Sequence, residues 1–236
     1  MAEQEQQYQR GMVVVAHADD AEWGCSGTVA KWCAEGWEVV YVLCTDGSKG
    51  SDNLEMTSQD LVNLRKQEQI NAGKVLGLHD VVFLGHEDAM LEPTLDLRRD
   101  IAREIRRYRP DVLICMGPNR ELSSNGYLGQ PDHFASGEAT LSAVFPSARD
   151  RLTFPELLAE GLEPHKVKEV WIMEHDHADR YVDVTEHIDT SVAALKEHKS
   201  QVSGEDADKY MRQWRSNIGE KVGMKYAEAF KRFKMD

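Results

Sequence analysis

Five short apolar runs, rich in valine, isoleucine and leucine, recur along this 236-residue chain. They cover residues 12–16, 39–44, 81–84, 112–116 and 170–173. Segments with helical spacing of apolar positions separate the first four runs, and Gly36, Gly77 and Pro110 follow the ends of those segments. A strand covered on both faces is apolar along its whole length. The alternation therefore predicts an α/β fold with a Rossmann-like, mostly parallel sheet covered by helices on both faces.

The spacing of apolar positions also predicts where the helices lie. They are expected over residues 27–35, 59–76, 95–108, 132–145, 184–199 and 206–232. We expect one domain over residues 11–203, preceded by a polar segment at 1–10 and followed by a helical C-terminal extension at 204–236. The apolar side chains of this extension predict packing on the domain or on a neighbouring subunit rather than a cofactor site. They are Met211, Trp214, Ile218, Val222, Tyr226 and Phe230.

The acidic composition limits the partners that the chain can bind. With 28 Lys and Arg against 41 Asp and Glu, the formal net charge is -13, which disfavours binding to nucleic acid or to an anionic membrane surface. The apolar runs are far shorter than the roughly 20 residues of a membrane span, and the polar N-terminus lacks the pattern of a signal peptide. We therefore expect a cytoplasmic protein whose four cysteines are reduced and packed.

Residues 16–22 read Ala-His-Ala-Asp-Asp-Ala-Glu and follow the first predicted strand directly. Open parallel sheets bind ligands beyond the carboxyl ends of their strands, so a site is expected here. Adjacent carboxylates repel each other unless a cation offsets their charge. A divalent metal bound by His17 and Asp20 would do so and would leave Asp19 free beside it. The alternative is that Asp19 or Asp20 caps the following helix.

A catalytic zinc has three protein ligands and a water, so a third ligand must come from elsewhere in the chain. His133, in the sequence Pro-Asp-His at the start of a predicted helix, is the best candidate, because another strand end would bring it to the same edge of the sheet. The rival is segment 174–177, Glu-His-Asp-His, in which His175 and His177 would share one side of an extended chain. The residues alone leave this choice open.

Residues 16–22, followed by Gly-Cys-Ser-Gly-Thr at 24–28, resemble the His-Pro-Asp-Asp motif of the PIG-L/LmbE-like zinc-dependent N-deacetylases, which act on N-acetylated amino sugars. The resemblance covers most of the chain, and it is specific because several further motifs follow in the family's order. These are Thr45-Asp46-Gly47 with Gly50, Arg65 with Glu68, Ala72 and Gly73, Phe83-Leu84-Gly85 with Asp88, Gln130-Pro131-Asp132-His133, and His198 with Gln201.

The resemblance implies that His17, Asp20 and His133 bind Zn²⁺, with Fe²⁺ as an alternative, and that Asp19 is the general base. The implied reaction removes an acetyl or other acyl group from the nitrogen of an N-acetylated amino sugar or sugar conjugate. The chemistry agrees, because zinc lowers the pKa of a bound water and an adjacent carboxylate can accept its proton. The family also implies a homo-oligomer, either a trimer or a hexamer.

Arg65 and Asp88 are the substrate contacts that the resemblance implies. Arg65 could hold hydroxyl or phosphate groups through its guanidinium, and the alternative is a surface salt bridge with Glu68. Asp88 could accept a hydrogen bond from a sugar hydroxyl. Glu22 could support a metal ligand from behind, and His198 could reach the pocket.

The sequence departs from the family pattern at two positions. Ala18 replaces the usual proline, which should matter little because the neighbouring ligands remain. Gln130 replaces a histidine that would stabilise the oxyanion or assist the leaving group. A glutamine amide can donate a hydrogen bond but cannot carry a proton, so we expect activity to survive. Asp132 would either orient Gln130 or act as a helix cap.

Two other functions compete with this interpretation. A catalytically impaired family member that binds metal and sugar is favoured by the loss of the histidine at position 130, and disfavoured by the free carboxylate of Asp19. A nucleotide-binding Rossmann protein is disfavoured because Gly24 and Gly27 do not form the Gly-x-Gly-x-x-Gly motif, and because the preceding acids would repel a pyrophosphate.

Overall fold

The computed structural model describes residues 8–120, 128–173, 177–202 and 204–235. The strands are β1 Arg10–Val15, β2 Glu38–Thr45, β3 Asp80–His86, β4 Val112–Met116, β5 Glu169–Met173, β6 Arg180–Asp183 and β7 Ala227–Lys234. The α-helices are α1 Asp20–Ala34, α2 Ser58–Leu76, α3 Leu95–Tyr108, α4 Pro131–Ser142, α5 Glu156–Ala159, α6 Ile188–Leu195 and α7 Gly204–Glu220. A π-helical turn, Ala143–Ser147, follows α4, and a 3-10 turn, Thr185–His187, precedes α6.

The strands pair in the order β3-β2-β1-β4-β5-β7-β6. Strands β1 to β5 are parallel, and β7 is antiparallel to both of its neighbours. From β1 the chain builds β2 and β3 on one side and then crosses to β4 on the other side. The carboxyl ends of β1 and β4 therefore flank the point where the strand order reverses, which is where open α/β sheets bind ligands. The predicted α/β fold with a mostly parallel sheet is confirmed.

Alternate residues of β1 contribute to different apolar layers on the two faces of the sheet. Met12 and Val14 belong to the layer that includes residues of α3 and α4, such as Leu97. Val13 and Val15 belong to the layer that includes residues of α1 and α2. Burial on both faces explains why the runs are apolar throughout rather than alternating, and it confirms the prediction of helices on both faces.

Besides the C-terminal extension, three predicted helices have boundaries that differ by three residues or more from the structure. The helix predicted over 184–199 is a 3-10 turn at Thr185–His187 followed by α6 at Ile188–Leu195. Helix α1 begins at Asp20 rather than at residue 27, so it starts within the acidic motif. Helix α4 ends at Ser142 rather than at residue 145, because Pro146 lacks a backbone N–H and interrupts the helical hydrogen bonding. Within the described ranges, no helix combines the length and the apolar composition that crossing a bilayer requires.

The predicted helical extension at 204–236 is wrong in its second half. Helix α7 ends at Glu220, and Ala227–Lys234 form β7, which inserts between β5 and β6. Phe230 is fully buried and packs on Trp171 of β5 with ring centroids 5.4 Å apart. Pairing with a strand on each side outweighs the local helical spacing that links Tyr226 and Phe230 in the sequence.

A buried ion pair fastens this C-terminal segment to α1. Arg215 of α7 lies 3.1 Å from the carboxylate of Glu228 on β7, and both side chains are fully buried. The Glu228 carboxylate also accepts hydrogen bonds from the backbone N–H groups of Gly27 and Thr28, at 2.9 and 2.7 Å. Arg215 donates in turn to the backbone carbonyl of Trp23. Helix α7 is therefore held in a fixed position against the helix that follows the acidic motif.

Candidate metal centre and active-site cleft

The acidic motif folds into a tight turn at the end of β1. Asp19 has a φ of 87°, in the left-handed region that non-glycine residues rarely adopt, and the backbone N–H of His17 donates to Asp20 Oδ2 at 2.7 Å. Asp19 occupies the N-cap position of α1, but its side chain makes no capping hydrogen bond. The alternative role as a side-chain cap is therefore excluded for Asp19, and its carboxylate remains available in the cleft.

Three side chains from two strand ends present possible metal ligands to one point. His17 Nδ1 lies 3.3 Å from Asp20 Oδ2, and His133 Nε2 lies 3.2 Å from Asp20 Oδ1. One ligand atom from each of the three residues can be chosen so that all lie within 4.8 Å of one another. His133 Nε2 is buried, and among the described residues its polar neighbour is the Asp20 carboxylate, in a geometry that does not satisfy a hydrogen bond. A nitrogen in that state fits a metal ligand, because an unpaired buried polar atom is otherwise costly.

The other nitrogen of His17 faces two more carboxylates. His17 Nε2 lies 3.0 Å from Asp88 Oδ1 and 3.3 Å from Asp132 Oδ2, and these three residues form a second group with the spacing of a metal site. Both carboxylates also accept backbone hydrogen bonds, Asp88 from Lys49 and Asp132 from Ala89 at 2.7 Å, as Asp20 does from His17. A carboxylate on the second nitrogen is the usual outer partner of a metal-bound histidine. This arrangement favours Nδ1 as the ligand atom of His17.

The charges of this cluster favour a bound cation. Burial alone would lower the pKa of His17, but hydrogen bonds to Asp20 and Asp88 raise it to about 10. Burial and the neighbouring charge of Asp20 raise the pKa of Asp19 to about 7. Both shifts have the direction expected where carboxylates outnumber cations. A proton on His17 is one way to supply the missing positive charge, and a divalent metal is another.

Arg65 supplies a fixed positive charge beside these acids. Its side chain on α2 is only 5% exposed, and Nη2 donates to the backbone carbonyl of Ala18 at 3.0 Å. The guanidinium lies 3.9 Å from Asp19 Oδ1 and 3.7 Å from Asp88 Oδ2. Because the group is already engaged with the acidic motif, it holds the two carboxylates in place as well as bordering the cleft.

The possible salt bridge between Arg65 and Glu68 is replaced by a different contact. Glu68 accepts hydrogen bonds from the backbone N–H and the hydroxyl of Ser200, at 2.8 and 2.7 Å. Its carboxylate therefore ties α2 to the segment after α6.

A series of buried polar side chains, Gln69, Glu22 and His198, links to the backbone of Asp19. The backbone N–H of Asp19 donates to Gln69 Oε1 at 3.3 Å, and Gln69 Nε2 donates to Glu22 Oε1 at 2.9 Å. His198 Nε2 lies 3.2 Å from Glu22 Oε2, and both of these side chains are fully buried. Gln69 is not among the residues predicted from the sequence. It lies four residues after Arg65 on α2, on the same side of that helix, and this spacing could have revealed it.

The eight residues predicted as catalytic, substrate-binding or metal-binding border one open cleft of about 1400 Å³, whereas the fully buried His198 is not among its lining residues. The eight are His17, Asp19, Asp20, Arg65, Asp88, Gln130, Asp132 and His133. Gln130 is exposed at the N-cap position of α4, where its side chain makes no capping hydrogen bond. Asp132 is fully buried, and its carboxylate accepts hydrogen bonds from the backbone N–H groups of Ala89 and Leu91. Asp132 therefore anchors the chain after β3 rather than capping α4.

The rival histidine segment lies only partly within the described chain. His177 borders the cleft but belongs to neither of the two candidate metal groups found among the described residues. Glu174, His175 and Asp176 lie outside the described residues.

A wall of the cleft that the sequence analysis missed comes from α7. Four residues of the helix, Tyr210, Trp214, Asn217 and Ile218, border the cleft, as does Lys221 just beyond its end. Their spacing of three or four positions is the spacing of one helix face. That spacing was visible in the sequence, but the direction of the face depends on how α7 packs.

Fold and site together define an α/β protein with a candidate metal centre, formed where the ends of β1 and β4 meet at the reversal of strand order. The PIG-L family, described as GlcNAc-PI de-N-acetylase, matches residues 12–144, which is more than half of the chain. The chain belongs to this family, and the resemblance found in the sequence is confirmed. All eight predicted site residues lie within the matched residues, whereas α7 lies outside them.

Relatives across most of the chain are named as deacetylases of N-acetylated amino sugars. Diacetylchitobiose deacetylase of Thermococcus kodakarensis is 29% identical over 93% of this chain and 81% of its own length. The 1D-myo-inositol 2-acetamido-2-deoxy-alpha-D-glucopyranoside deacetylase 1 of Saccharopolyspora erythraea is 28% identical over 89% of this chain and 82% of its own. The solved structure of N,N'-diacetylchitobiose deacetylase from Pyrococcus horikoshii shares the fold, with a TM-score of 0.88, 24% identity and coverage of 97% of this chain and 85% of that one.

Proposed function

We propose that the protein is a metal-dependent amide hydrolase that removes an acetyl group from the nitrogen of an N-acetylated amino sugar or sugar conjugate. The observation that carries the proposal is the free carboxylate of Asp19 beside the candidate ligands His17, Asp20 and His133, in a cleft open to a small molecule. The named activities of the family members support the choice of substrate class. A protein that only bound sugar would not require this carboxylate.

The proposed ligands are His17 through Nδ1, Asp20 through its carboxylate and His133 through Nε2. Two nitrogens and one oxygen suit Zn²⁺, and Fe²⁺ would fit the same donors. A bound divalent metal would supply a lowered pKa for a water and would polarise the carbonyl of the amide.

Asp19 performs the proton transfers in this proposal. Its carboxylate accepts a proton from the attacking water as the water oxygen forms a bond to the amide carbon. It then delivers that proton to the amine nitrogen as the C–N bond breaks, so one water and one amide give acetate and a free amine. Arg65 and the Gln69 hydrogen bond hold the side chain and the backbone of Asp19 in position for both steps.

Gln130 is the proposed donor to the oxygen that becomes negative during the attack. Its exposed position at the start of α4 places it on the border of the cleft, close in sequence to the ligand His133. The side-chain amide can donate a hydrogen bond there but cannot carry a proton. Asp19 therefore acts without a second proton carrier at position 130.

The proposed assembly rests on the family resemblance, whereas the proposed location rests on the sequence pattern. We propose a homo-oligomer, a trimer or a hexamer, located in the cytoplasm. Light scattering that gives the mass of a single chain at working concentrations would contradict the proposed assembly.

The direct test is acetate release by zinc-loaded protein across a panel of N-acetylated mono- and disaccharides and their phosphates. We expect release from at least one of them, and none above background from the Asp19→Asn variant. Stoichiometric metal with no release from any sugar would favour the catalytically impaired binder. Equal release by Asp19→Asn would remove Asp19 as the base.

A further inference from the structure

We propose that the cleft side of α7 binds a second sugar ring, the one attached to the N-acetylated sugar that reacts. This inference rests on the proposed deacetylase function. The surface, called here the α7 wall, consists of Tyr210, Trp214 and Asn217, which lie at successive turns of one helical stripe, and of Lys221 just beyond the end of the helix. It faces the cleft that also contains the candidate metal ligands.

The α7 wall carries an aromatic surface continuous with α1. The rings of Trp23 and Tyr210 lie 5.8 Å apart in an edge-on arrangement, and those of Tyr210 and Trp214 lie 6.2 Å apart. Tyr210 is 63% exposed, so its ring is accessible to a molecule in the cleft. The C–H groups on the face of a pyranose ring carry slight positive charge and pack well on the negative face of an aromatic ring. The Arg215 guanidinium lies over the ring of Trp214, 4.5 Å from its centroid, so the exposed ring of Tyr210 is the main stacking surface and Trp214 supports it.

Polar groups at the far end of the wall suit sugar hydroxyls. Asn217 and Lys221 are both exposed and border the cleft one and two turns beyond Trp214. An amide can donate to one hydroxyl and accept from another, and an ammonium group can donate to several. Aromatic rings followed by such donors match a neutral pyranose, which has an apolar face and a polar rim.

The size and rigidity of the cleft support the same occupant. Its volume of about 1400 Å³ exceeds the roughly 300–1,000 Å³ of ordinary small-molecule sites, which leaves room for a ring beyond the one that reacts. The buried pair of Arg215 and Glu228 fixes α7 against α1, because Arg215 donates to the carbonyl of Trp23. The wall is therefore held in place before substrate arrives, which lowers the entropic cost of binding.

A second copy of the chain is the other conceivable occupant of an exposed aromatic surface. It would cover Tyr210 and Trp214 and change the mass of the protein in solution when they are removed. The test below therefore includes the oligomeric state of every variant.

The test compares N,N'-diacetylchitobiose with N-acetylglucosamine as substrates of the metal-loaded full chain. The variants are Tyr210→Ala, Trp214→Ala and the conservative Trp214→Phe, and the control is Phe233→Ala, an exposed aromatic on β7 away from the cleft. We expect Tyr210→Ala and Trp214→Ala to lower the disaccharide-to-monosaccharide ratio of kcat/KM about tenfold, mainly through KM, with partial recovery in Trp214→Phe. The control should keep the wild-type ratio.

A binding measurement separates failure of this inference from failure of the proposed function. Calorimetric titration of N,N'-diacetylchitobiose into Asp19→Asn protein, with and without Trp214→Ala, measures how much the α7 wall contributes to disaccharide binding in the absence of turnover. Acetate release with an unchanged ratio and unchanged binding would overturn the wall and leave the deacetylase. If Trp214→Ala abolishes disaccharide binding but the wild type releases no acetate, the sugar-binding role of the α7 wall stands and the proposed deacetylase function is overturned. A change of mass in Trp214→Ala with an unchanged ratio would assign the wall to a second copy.

Discussion

Nε2 of His17 lies 3.0 Å from Oδ1 of Asp88, on the side of the imidazole ring away from the proposed metal. A carboxylate in this place holds the ring orientation and favours the tautomer with its proton on Nε2, so that Nδ1 presents its lone pair. Burial alone would raise the pKa of Asp88, but the contacts with His17 and the Lys49 N–H hold it below its ordinary value. Asp88 is therefore ionised near neutral pH, as this role requires.

The first prediction concerns this contact. Asp88→Asn should weaken metal affinity about 10- to 100-fold while leaving one binding site per chain at saturating metal, because the outer partner of His17 changes and the three ligands remain. Titration with Zn²⁺ against a competing chelator measures the change. Complete loss of the site would instead make Asp88 a ligand, as in the group of His17, Asp88 and Asp132.

The second prediction identifies the third ligand. His133→Ala should lose stoichiometric metal, and chelation should lower the melting temperature of the wild type but not that of the variant, since a bound ligand stabilises only the form that binds it. Metal analysis and thermal unfolding with and without chelator measure both effects. His79→Ala, which changes a histidine outside the cleft, serves as the control. Wild-type metal content in His133→Ala would point to a ligand from segment 174–177.

The third prediction separates binding from chemistry. Asp19→Asn should keep the metal and lower kcat by about 10²- to 10⁴-fold, the range that a positioned general base contributes. Asn has nearly the same size, so the Gln69 contact to the backbone should remain. Acetate release together with metal analysis checks both points. Loss of metal along with activity would show that Asp19 is itself a ligand.

The fourth prediction uses the family's missing histidine. Gln130→His should maintain or raise kcat, because an imidazole can donate to the oxyanion and can also carry a proton. The pH profile provides the sharper readout. If the imidazolium assists the leaving group, activity should decline above a pKa near the ordinary value of about 6.5. A collapse of the rate with metal retained would mean that the amide of Gln130 has a role that imidazole cannot fill.

The fifth prediction concerns stability. Arg215→Met should lower the free energy of unfolding by about 3–5 kcal/mol, because it leaves the fully buried Glu228 carboxylate without its cation. Arg212→Met on the same helix removes a partly exposed pair with Asp189 and Asp208, and should cost at most about 1 kcal/mol. Urea unfolding of both variants measures the difference. An equal decrease in the free energy of unfolding for both variants would mean that the buried pair stabilises the fold no more than the partly exposed pair does.

The sheet was predictable wherever strands are buried on both faces. Residues 112–116 are apolar from end to end because helices cover them on two sides. The four residues of β6 have no such run, and β7 carries polar side chains that only tertiary contacts accommodate, such as Glu228 against Arg215. Local sequence does not contain those contacts, so β6 was missed and β7 was assigned to a helix.

The candidate site also contains residues that the sequence predicts and residues that it does not. His17, Asp19 and Asp20 are close in sequence, and the chemistry of adjacent acids predicts a cation there. The pairing of His17 with Asp88 and the α7 wall depend on which loops meet at the sheet edge, 71 and nearly 200 residues along the chain from the motif. Spacing in the sequence cannot specify such distant partners.

The insertion of β7 between β5 and β6 also has a consequence for protein synthesis. The edge of β5 and the whole of β6 leave the ribosome dozens of residues before Ala227–Lys234, the strand that both must pair with. At about 5–20 residues per second, the nascent chain waits on the order of seconds with an unpaired strand edge. The edge of β5 therefore stays open to pairing with other chains until Ala227–Lys234 has left the ribosome.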